Sequence, residues 1–393
     1  MPTGYDPASY SCVRSLSRRG IHTIVASEHE NALATASTFC DEVISIPSPE
    51  SDFLRYKAAL LRIAARDDVR TIVPVRAPDP YLLSKYFDEF SDEVTVVTPG
   101  FETIESVHDR IRLIEAAQNA GVPVPETNTI DEVTDWESEQ IIKSRYNVLT
   151  EEYCDSYSER DFATAKRVKH LDAGERPDPE TIREEMHHDP LVQEYVCSSD
   201  EYVFGALYDH GEPVTTFQHR QIRGESYTGG GGVYRRSIDI PELEAVGRTL
   251  LDHLEWHGPA CIEYMRDAET DEFKLTEINP RLWQSLPCAV RAGADFPLDY
   301  WRLATGRPDS VDPEYETGVG SHLLYGELGY LSSVVNEESA LVDRPSLFGA
   351  GLEILVSCCM DPHFDLLRYD DPRVFLSGLR YVLTETSRAV HSR

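Results

Sequence analysis

The feature that most constrains this chain is a pair of short apolar runs around a polar turn. GPACIEYMRD (258–267), AETDE (268–272) and FKLTEINPRLW (273–283) follow one another without a break. Two strand-like runs joined by a five-residue turn read as a β-hairpin. The second run ends in Glu277 and Asn279, then stops at Pro280, which has no N–H to give a ladder. Strict strand alternation puts Glu277 and Asn279 on one face, together with Phe273 and Leu275. Glu263 lies in the preceding strand. Two carboxylates and one amide oxygen presented together make an oxygen-rich half-shell of the kind magnesium takes, with its other positions left to water and phosphate oxygens. Arg281, just beyond the proline, is placed to hold a phosphoryl or carboxylate group in bidentate fashion. A single Glu-x-Asn ending a strand in solvent would mean little, so its surroundings decide.

The first hundred residues alternate. SYSCVRSLSRRG reads as a helix closed by Gly20, IHTIVAS and DEVISIP as strands, and SDFLRYKAALLRIAAR as an amphipathic helix. RTIVPV and DEVTVVTPG read as further strands. This order predicts a mainly parallel, doubly wound sheet. Only MPTGYDP precedes the first helix, so the opening strand is expected to be missing and a start codon upstream is expected. FETIESVHDRIRLIEAAQNAG reads as one capped helix ending at Gly121. Beyond it, EQIIKSR, AKRVKHL and LVQEYV read as strands, with PETIREEMHH a helix before the third. EYVFGALYDHGEPVTTFQHR reads as a hairpin around DHGE, and IPELEAVGRTLLDHLEWHG as an amphipathic helix. The four glycines 229–232 suit a mobile cover or a close approach to an anion.

Charge excludes several functions. The chain has 69 Asp+Glu against 37 Lys+Arg, a net charge of −32. Its lysines are confined to positions 57, 85, 143, 166, 169 and 274. Against that background no basic patch survives, which argues against nucleic-acid binding. The acids run along the whole length, so they do not form a disordered acidic tail. Self-repulsion on this scale is tolerable where salt screens it, the Debye length falling to about 3 Å at 1 M. The expectation is a halophile's high-salt cytoplasm. No apolar run approaches the ~20 residues of a membrane span, and MPTGYDPASY lacks the layout of a signal peptide. The eight cysteines form no CxxC pair and no zinc spacing, so free thiols are expected.

GPACIEYMRD followed by KLTEINPRLW resembles the paired metal strands of the ATP-grasp superfamily, where a first strand ends in glutamate and a second reads Glu-x-Asn-Pro-Arg. The resemblance implies an α/β chain with a doubly wound domain at 1–105 and a two-lobed, α+β ATP-grasp domain at 106–308. The small lobe would span about 125–195 and the large lobe about 196–308, with a mixed C-terminal extension at 309–393. It assigns Glu263, Glu277 and Asn279 to magnesium (manganese could substitute) and Arg281 to the transferred phosphoryl group. Lys143 lies where the family places a lysine on the ATP phosphates. Glu194 and Val196 match the hinge that holds the adenine edge, and Glu201 the acid that binds the ribose. Two departures stand out. Arg110, after Asp109, replaces a phosphate-binding lysine, and SRYNVLTEEYCDSYSERD replaces the glycine-rich loop after Lys143. Arg220, Arg223 and Arg235 are candidate anchors for a substrate carboxylate or acyl phosphate.

The implied activity is an ATP-dependent ligase that activates a small carboxylate as an acyl phosphate and joins it to an amine. Its partners would be those two small molecules, with no nucleic acid and no membrane, and a homodimer is compatible with this. A carboxylase or carbamoyl-phosphate-synthase-like enzyme is an alternative. LWQSLPCAV after Asn-Pro-Arg departs from the Gln-Val-Glu-His continuation typical of biotin carboxylation. A regulatory ATP-binding module without catalysis is a second alternative, and the intact Glu263, Glu277, Asn279 and Arg281 argue against it.

The charge reading carries its own test. Thermal melts should show a midpoint at 2–4 M KCl (roughly the regime of complete screening) well above that at low salt. Equal midpoints would remove the high-salt expectation.

Overall fold

Residues 1–4, 6–165, 167–198, 200–339 and 341–380 are described by the structure, a computed structural model. The N-terminal part begins with an answer to the missing strand. Pro2 bridges Ala26 in parallel fashion, the Thr3 amide donates to the Ala26 carbonyl at 2.9 Å, and the Ala26 amide donates to the Met1 carbonyl at 2.9 Å. Residues 1–3 therefore take the place of the opening strand. Helix α1 (Pro7–Ser17) is started by Asp6, whose carboxylate accepts from the Ser9 amide. Strands β1 (Ile24–Ser27) and β2 (Glu42–Ser45) pair in parallel. Helix α2 (Phe53–Ala64) follows, capped by Asp52. The two expected strands in 70–75 and 92–100 reduce to one parallel bridge, Thr71–Thr95. Their valines still serve the core. Helices α3 (Pro78–Lys85) and α4 (Phe87–Ser91) lie between them.

The single helix read over 101–121 is two, α5 (Phe101–His108) and α6 (Arg110–Ala120). Asp109 breaks it. Its backbone is extended (ψ 107°), and its carboxylate caps α6 through the Ile111 amide. The same carboxylate takes Arg145 at 2.9 and 2.6 Å. An acid that satisfies an amide and a distant arginine outbids continuation of the helix.

A small four-stranded sheet has the order β3–β8–β4–β7, from β3 (Thr127–Thr129), β4 (Gln140–Lys143), β7 (Val168–Leu171) and β8 (Leu191–Glu194). Between its second and third members in chain order lies a two-stranded ribbon, β5 (Val148–Leu149) with β6 (Ala163–Thr164). Helix α7 (Pro179–Met186) covers one face of the small sheet, with Ile182 and Met186 packed on Ile142 and Val192.

The large sheet has six strands in the order β13–β12–β9–β10–β11–β14. The expected hairpins are present: β9 (Glu201–Asp209) with β10 (Glu212–Ser226), and β12 (Gly258–Arg266) with β13 (Phe273–Asn279). The glycines 229–232 open β11 (Gly229–Ile238), paired to β10 through Gly224–Gly232 and Ser226–Gly229, so they are strand rather than cover. Beyond 308, β14 (Gly320–His322) adds an edge strand against β11.

Helix α8 (Pro241–His253) packs Leu250 and Leu251 with Phe204, Ile262 and Leu275 on one face. Each such fully buried side chain is worth about 1.5–3 kcal/mol. On the other face, α9 (Leu286–Ala292) and α10 (Phe296–Ala304) pack with Val203, Leu207 and Cys261, and this core also takes in Val73, Val97 and Cys12 of α1. Helices α11 (Leu324–Asn336) and α12 (Leu347–Met360) complete the described elements named here. Among the described residues no helix is long and apolar enough to cross a membrane, and all eight cysteines are unpaired.

Gly247 tests the packing under the large sheet. A methyl added there would overlap the Phe204 ring. Alanine gains about 1 kcal/mol over glycine in a helix interior, but overpacking costs about 1–3 kcal/mol. Gly247→Ala should therefore lower stability in denaturant unfolding despite its better helix propensity.

Candidate active site

One added residue sets the geometry. In the β12–β13 pair Glu263 faces Glu277, but the next residue, Tyr264, faces Leu275, so Thr276 is a β-bulge. The bulge breaks the period of two. Phe273, Leu275 and Ile278 face α8, while Glu277 and Asn279 turn to the opposite face with Glu263. The simple alternation, which grouped Glu277 and Asn279 with Phe273 and Leu275, fails for this reason. Asn279 lies across from Cys261, and its Nδ2 donates to Glu263 Oε1 at 3.3 Å. Glu277 and Asn279 are 7% and 6% exposed, so their oxygens belong to a largely dry edge.

Cationic side chains converge on it from three directions. Arg110, at the start of α6, places Nη2 3.2 Å from Glu277 Oε2 and donates Nη1 to the Ser144 carbonyl at 2.5 Å. Its Nε is buried with no hydrogen-bond partner among the described residues. The Arg110 amide donates to the Arg145 carbonyl, so the Asp109–Arg145 pair and the helix break together fix where this guanidinium points. Lys143, at the end of β4, donates Nζ to the Thr276 carbonyl at 3.1 Å. The bulge thus turns an acid and an amide to one face and offers a carbonyl to the lysine of the other sheet. Arg281 donates to the Leu282 carbonyl at 3.0 Å and approaches Asn279 Oδ1 at 3.5 Å.

Glu201, at the start of β9, belongs to the same group. Burial, with the Glu263 charge behind it, raises its pKa to about 7 against the pull of Lys143. Gln221 of β10 donates its amide to Glu201 and to the Gly230 carbonyl at 2.9 Å.

The remaining sequence candidates lie elsewhere. Glu194 ends β8 with its carboxylate 2.5 Å from Lys274, which also holds Asp267 at 2.6 Å. Val196 is buried just beyond. Both sit on the segment joining the two sheets. Arg220 is paired with Asp200 through Nε at 2.9 Å. Arg223 is paired with Glu327 of α11 at 2.8 Å, and the fully buried Arg235 with Asp365. These three arginines are held by acids rather than grouped with Glu263 and Glu277. The pairs of Arg223 and Arg235 tie the segment after 308 to the large sheet, where removing one partner of such a buried pair costs about 3–5 kcal/mol.

Sequence reading did not single out Asp6, Gln221 or Gln284. Burial raises the pKa of Asp6, and the Arg281 charge opposes that rise. The signal for Asp6 was the Asp-Pro helix start. A methyl on Gly231 would crowd Gln284 Oε1. Neither glutamine left a sequence signal, because each acts through register.

Comparison with solved structures matches this architecture. N5-carboxyaminoimidazole ribonucleotide synthetase in its ADP complex superposes with a TM-score of 0.61 at 14% identity, over 91% of this chain and 95% of that one. L-amino acid ligase from Bacillus licheniformis gives 0.59 at 11% identity, over 81% and 78%. Pyruvate carboxylase from Rhizobium etli gives 0.58 at 17% identity over 80% of this chain, which spans only 30% of that longer protein. No protein-family model matches the chain, and no curated protein matches it by sequence. The chain has the ATP-grasp fold, with a doubly wound N-terminal part.

The raised pKa of Glu201 gives a pH test on metal-free, nucleotide-free protein. Its folded value of about 7 lies above the ordinary 4.5. Its stabilising contribution is therefore complete below pH 4.5 and is lost as pH rises through about 7. Glu201→Gln should lack this fall, so its melting midpoint should exceed that of the parent at pH 8 and approach it at pH 5. Parallel midpoints from pH 5 to 8 would contradict the assignment.

Proposed function

We propose that this chain is an ATP- and magnesium-dependent ligase. It activates a small carboxylate as an acyl phosphate, joins it to an amine, and releases ADP and phosphate. The observation that carries this reading is the convergence of Glu263, Glu277 and Asn279 with Arg110, Lys143 and Arg281 on one edge of the large sheet. The ATP-grasp fold supports it.

The donor set fits magnesium. It offers two carboxylates and an amide oxygen, all hard oxygen ligands, and the Glu263 charge already raises the pKa of Glu201, an excess of negative charge that a cation would relieve. Glu263, Glu277 and Asn279 would hold the ion. When bound, it supplies charge neutralisation to phosphate oxygens.

The chain's own residues do the rest. Arg110 and Lys143 face the same edge from α6 and β4, and the Arg110 Nε–H, without a partner among the described residues, is a donor available to an anionic oxygen. Arg281 would hold the phosphoryl group in transit, and its fixed charge lowers repulsion between carboxylate and triphosphate. The carboxylate oxygen attacks the γ-phosphorus as the β–γ bridging bond breaks, leaving ADP. The amine nitrogen then attacks the acyl carbon, phosphate departs, and the nitrogen gives up its proton. An amine that arrives neutral needs no dedicated base. Glu201 would bind the ribose, and the backbone at Glu194 and Val196 the adenine edge. LWQSLPCAV after Asn-Pro-Arg supports ligation over biotin carboxylation.

Two measurements test the reading. With ATP, magnesium and a pool of small acids and amines, the protein should release ADP and phosphate. AMP and pyrophosphate would overturn the acyl-phosphate route. Glu277→Gln should reduce ADP release at least about 100-fold with its circular dichroism unchanged. Turnover equal to the parent's would overturn the metal assignment.

A further inference from the structure

A second group of metal-ligating side chains lies at the far end of the large sheet. Asp209 ends β9, His210 begins the tight turn to β10, and His257 sits just before β12. Eight residue steps separate Asp209 from Glu201, about 26 Å along an extended strand. The group is therefore remote from the Glu263–Glu277 edge and independent of the reading proposed above.

Its geometry is unusual for a surface turn. His210 adopts a left-handed backbone (φ 47°), uncommon for a residue with a Cβ. That conformation lays its ring on the His257 ring, with centroids 4.0 Å apart and planes 3° from parallel. Asp209 Oδ1 is 3.6 Å from His257 Nδ1 and 3.9 Å from His210 Nε2. The three ligand atoms all lie within 4.8 Å of one another. In a tetrahedral site with bonds near 2.0–2.1 Å, neighbouring ligand atoms are about 3.3 Å apart. The two Asp209 distances need to close by a few tenths of an ångström, and the exposed His210 ring must turn out of its parallel stack on His257 for both lone pairs to meet one ion.

The surroundings prepare His257 as a ligand. His257 Nδ1 accepts from the His210 amide at a long 3.3 Å. The proton is thus held on Nε2 and the lone pair is on Nδ1, facing Asp209 and His210. The His210 amide is in an exposed turn, where water can replace its weak bond. Behind His257, Gly258 (φ 94°) lets the chain pass so close to residue 97 that an added Cβ would sit 2.8 Å from the Val97 carbonyl oxygen. The third ligand is therefore anchored to the N-terminal part of the molecule.

We propose that Asp209, His210 and His257 bind a divalent transition-metal ion of the zinc, nickel or copper class. Two imidazole nitrogens and one carboxylate oxygen suit those ions and not magnesium or calcium, which take oxygen donors. Water completes the shell. The ion ties the β9–β10 turn to the start of β12, where Gly258 lies close against the Val97 carbonyl of the N-terminal part. It has no part in phosphoryl transfer.

The test is calorimetric titration of the intact chain with Zn2+, in a buffer holding excess Mg2+ to occupy hard oxygen sites. One equivalent should bind, and Zn2+ should raise the melting midpoint. His210→Ala, which removes an exposed side chain, should weaken binding at least about tenfold and abolish the zinc-dependent rise, with ADP release unchanged. Asp209→Asn should give the same pattern. Co2+ added to the parent should give d–d bands of nitrogen and oxygen ligation that are absent from His210→Ala. Failure of the parent to bind Zn2+, or equal binding by parent and His210→Ala, would overturn the proposal.

Discussion

The extra residue at Thr276 is the constraint from which the site follows. Without it, the face that carries Phe273 and Leu275 into the core would also carry Glu277 and Asn279 there, and two polar groups would be buried under α8. With it, the apolar side chains stay in the core and the polar ones meet Glu263. The Thr276 carbonyl accepts from Lys143 of the small sheet. One inserted residue therefore decides which face carries Glu263, Glu277 and Asn279 together and helps decide how the two sheets meet.

The second organising element is balance of charge in a chain with a large acidic excess. Glu201, Glu263 and Glu277 are gathered at one edge, and burial together with the Glu263 charge raises the pKa of Glu201. Arg110 and Lys143 offset part of it. Arginines that a sequence reading could send to substrate are instead held by acids. Arg223 with Glu327 and Arg235 with Asp365 fasten the segment after 308 to β10 and β11. In so acidic a chain an arginine near a glycine run is as readily a structural cation as a ligand for an anion, and only burial and partner distinguish the two.

Local pattern made much of the fold legible. The hairpins β9–β10 and β12–β13 were readable from turn chemistry between apolar runs, and α8 from its helical period. Three local readings changed for physical reasons. Asp109 breaks a continuous amphipathic run because Arg145, distant in sequence, gives its carboxylate a partner. The glycines 229–232 lie in β11 because β10 supplies a ladder. Residues 1–3 act as a strand because Ala26 offers a parallel edge. In each case a partner outside the local window decided the conformation.

The same division holds for chemistry. By itself the sequence determined which residue types could make an oxygen-rich site, since Glu263, Glu277, Asn279 and Arg281 lie close together along one hairpin, whose pairing is local. Arg110, Lys143 and Glu201 were legible only through the family resemblance; tertiary structure brought them to this edge from separate elements, added Gln221, and gathered Asp209, His210 and His257 at the far end of the sheet. Spacing along a chain reports neighbours across one turn. It carries no record of sheet order, of a bulge, or of which distant carboxylate an arginine will meet.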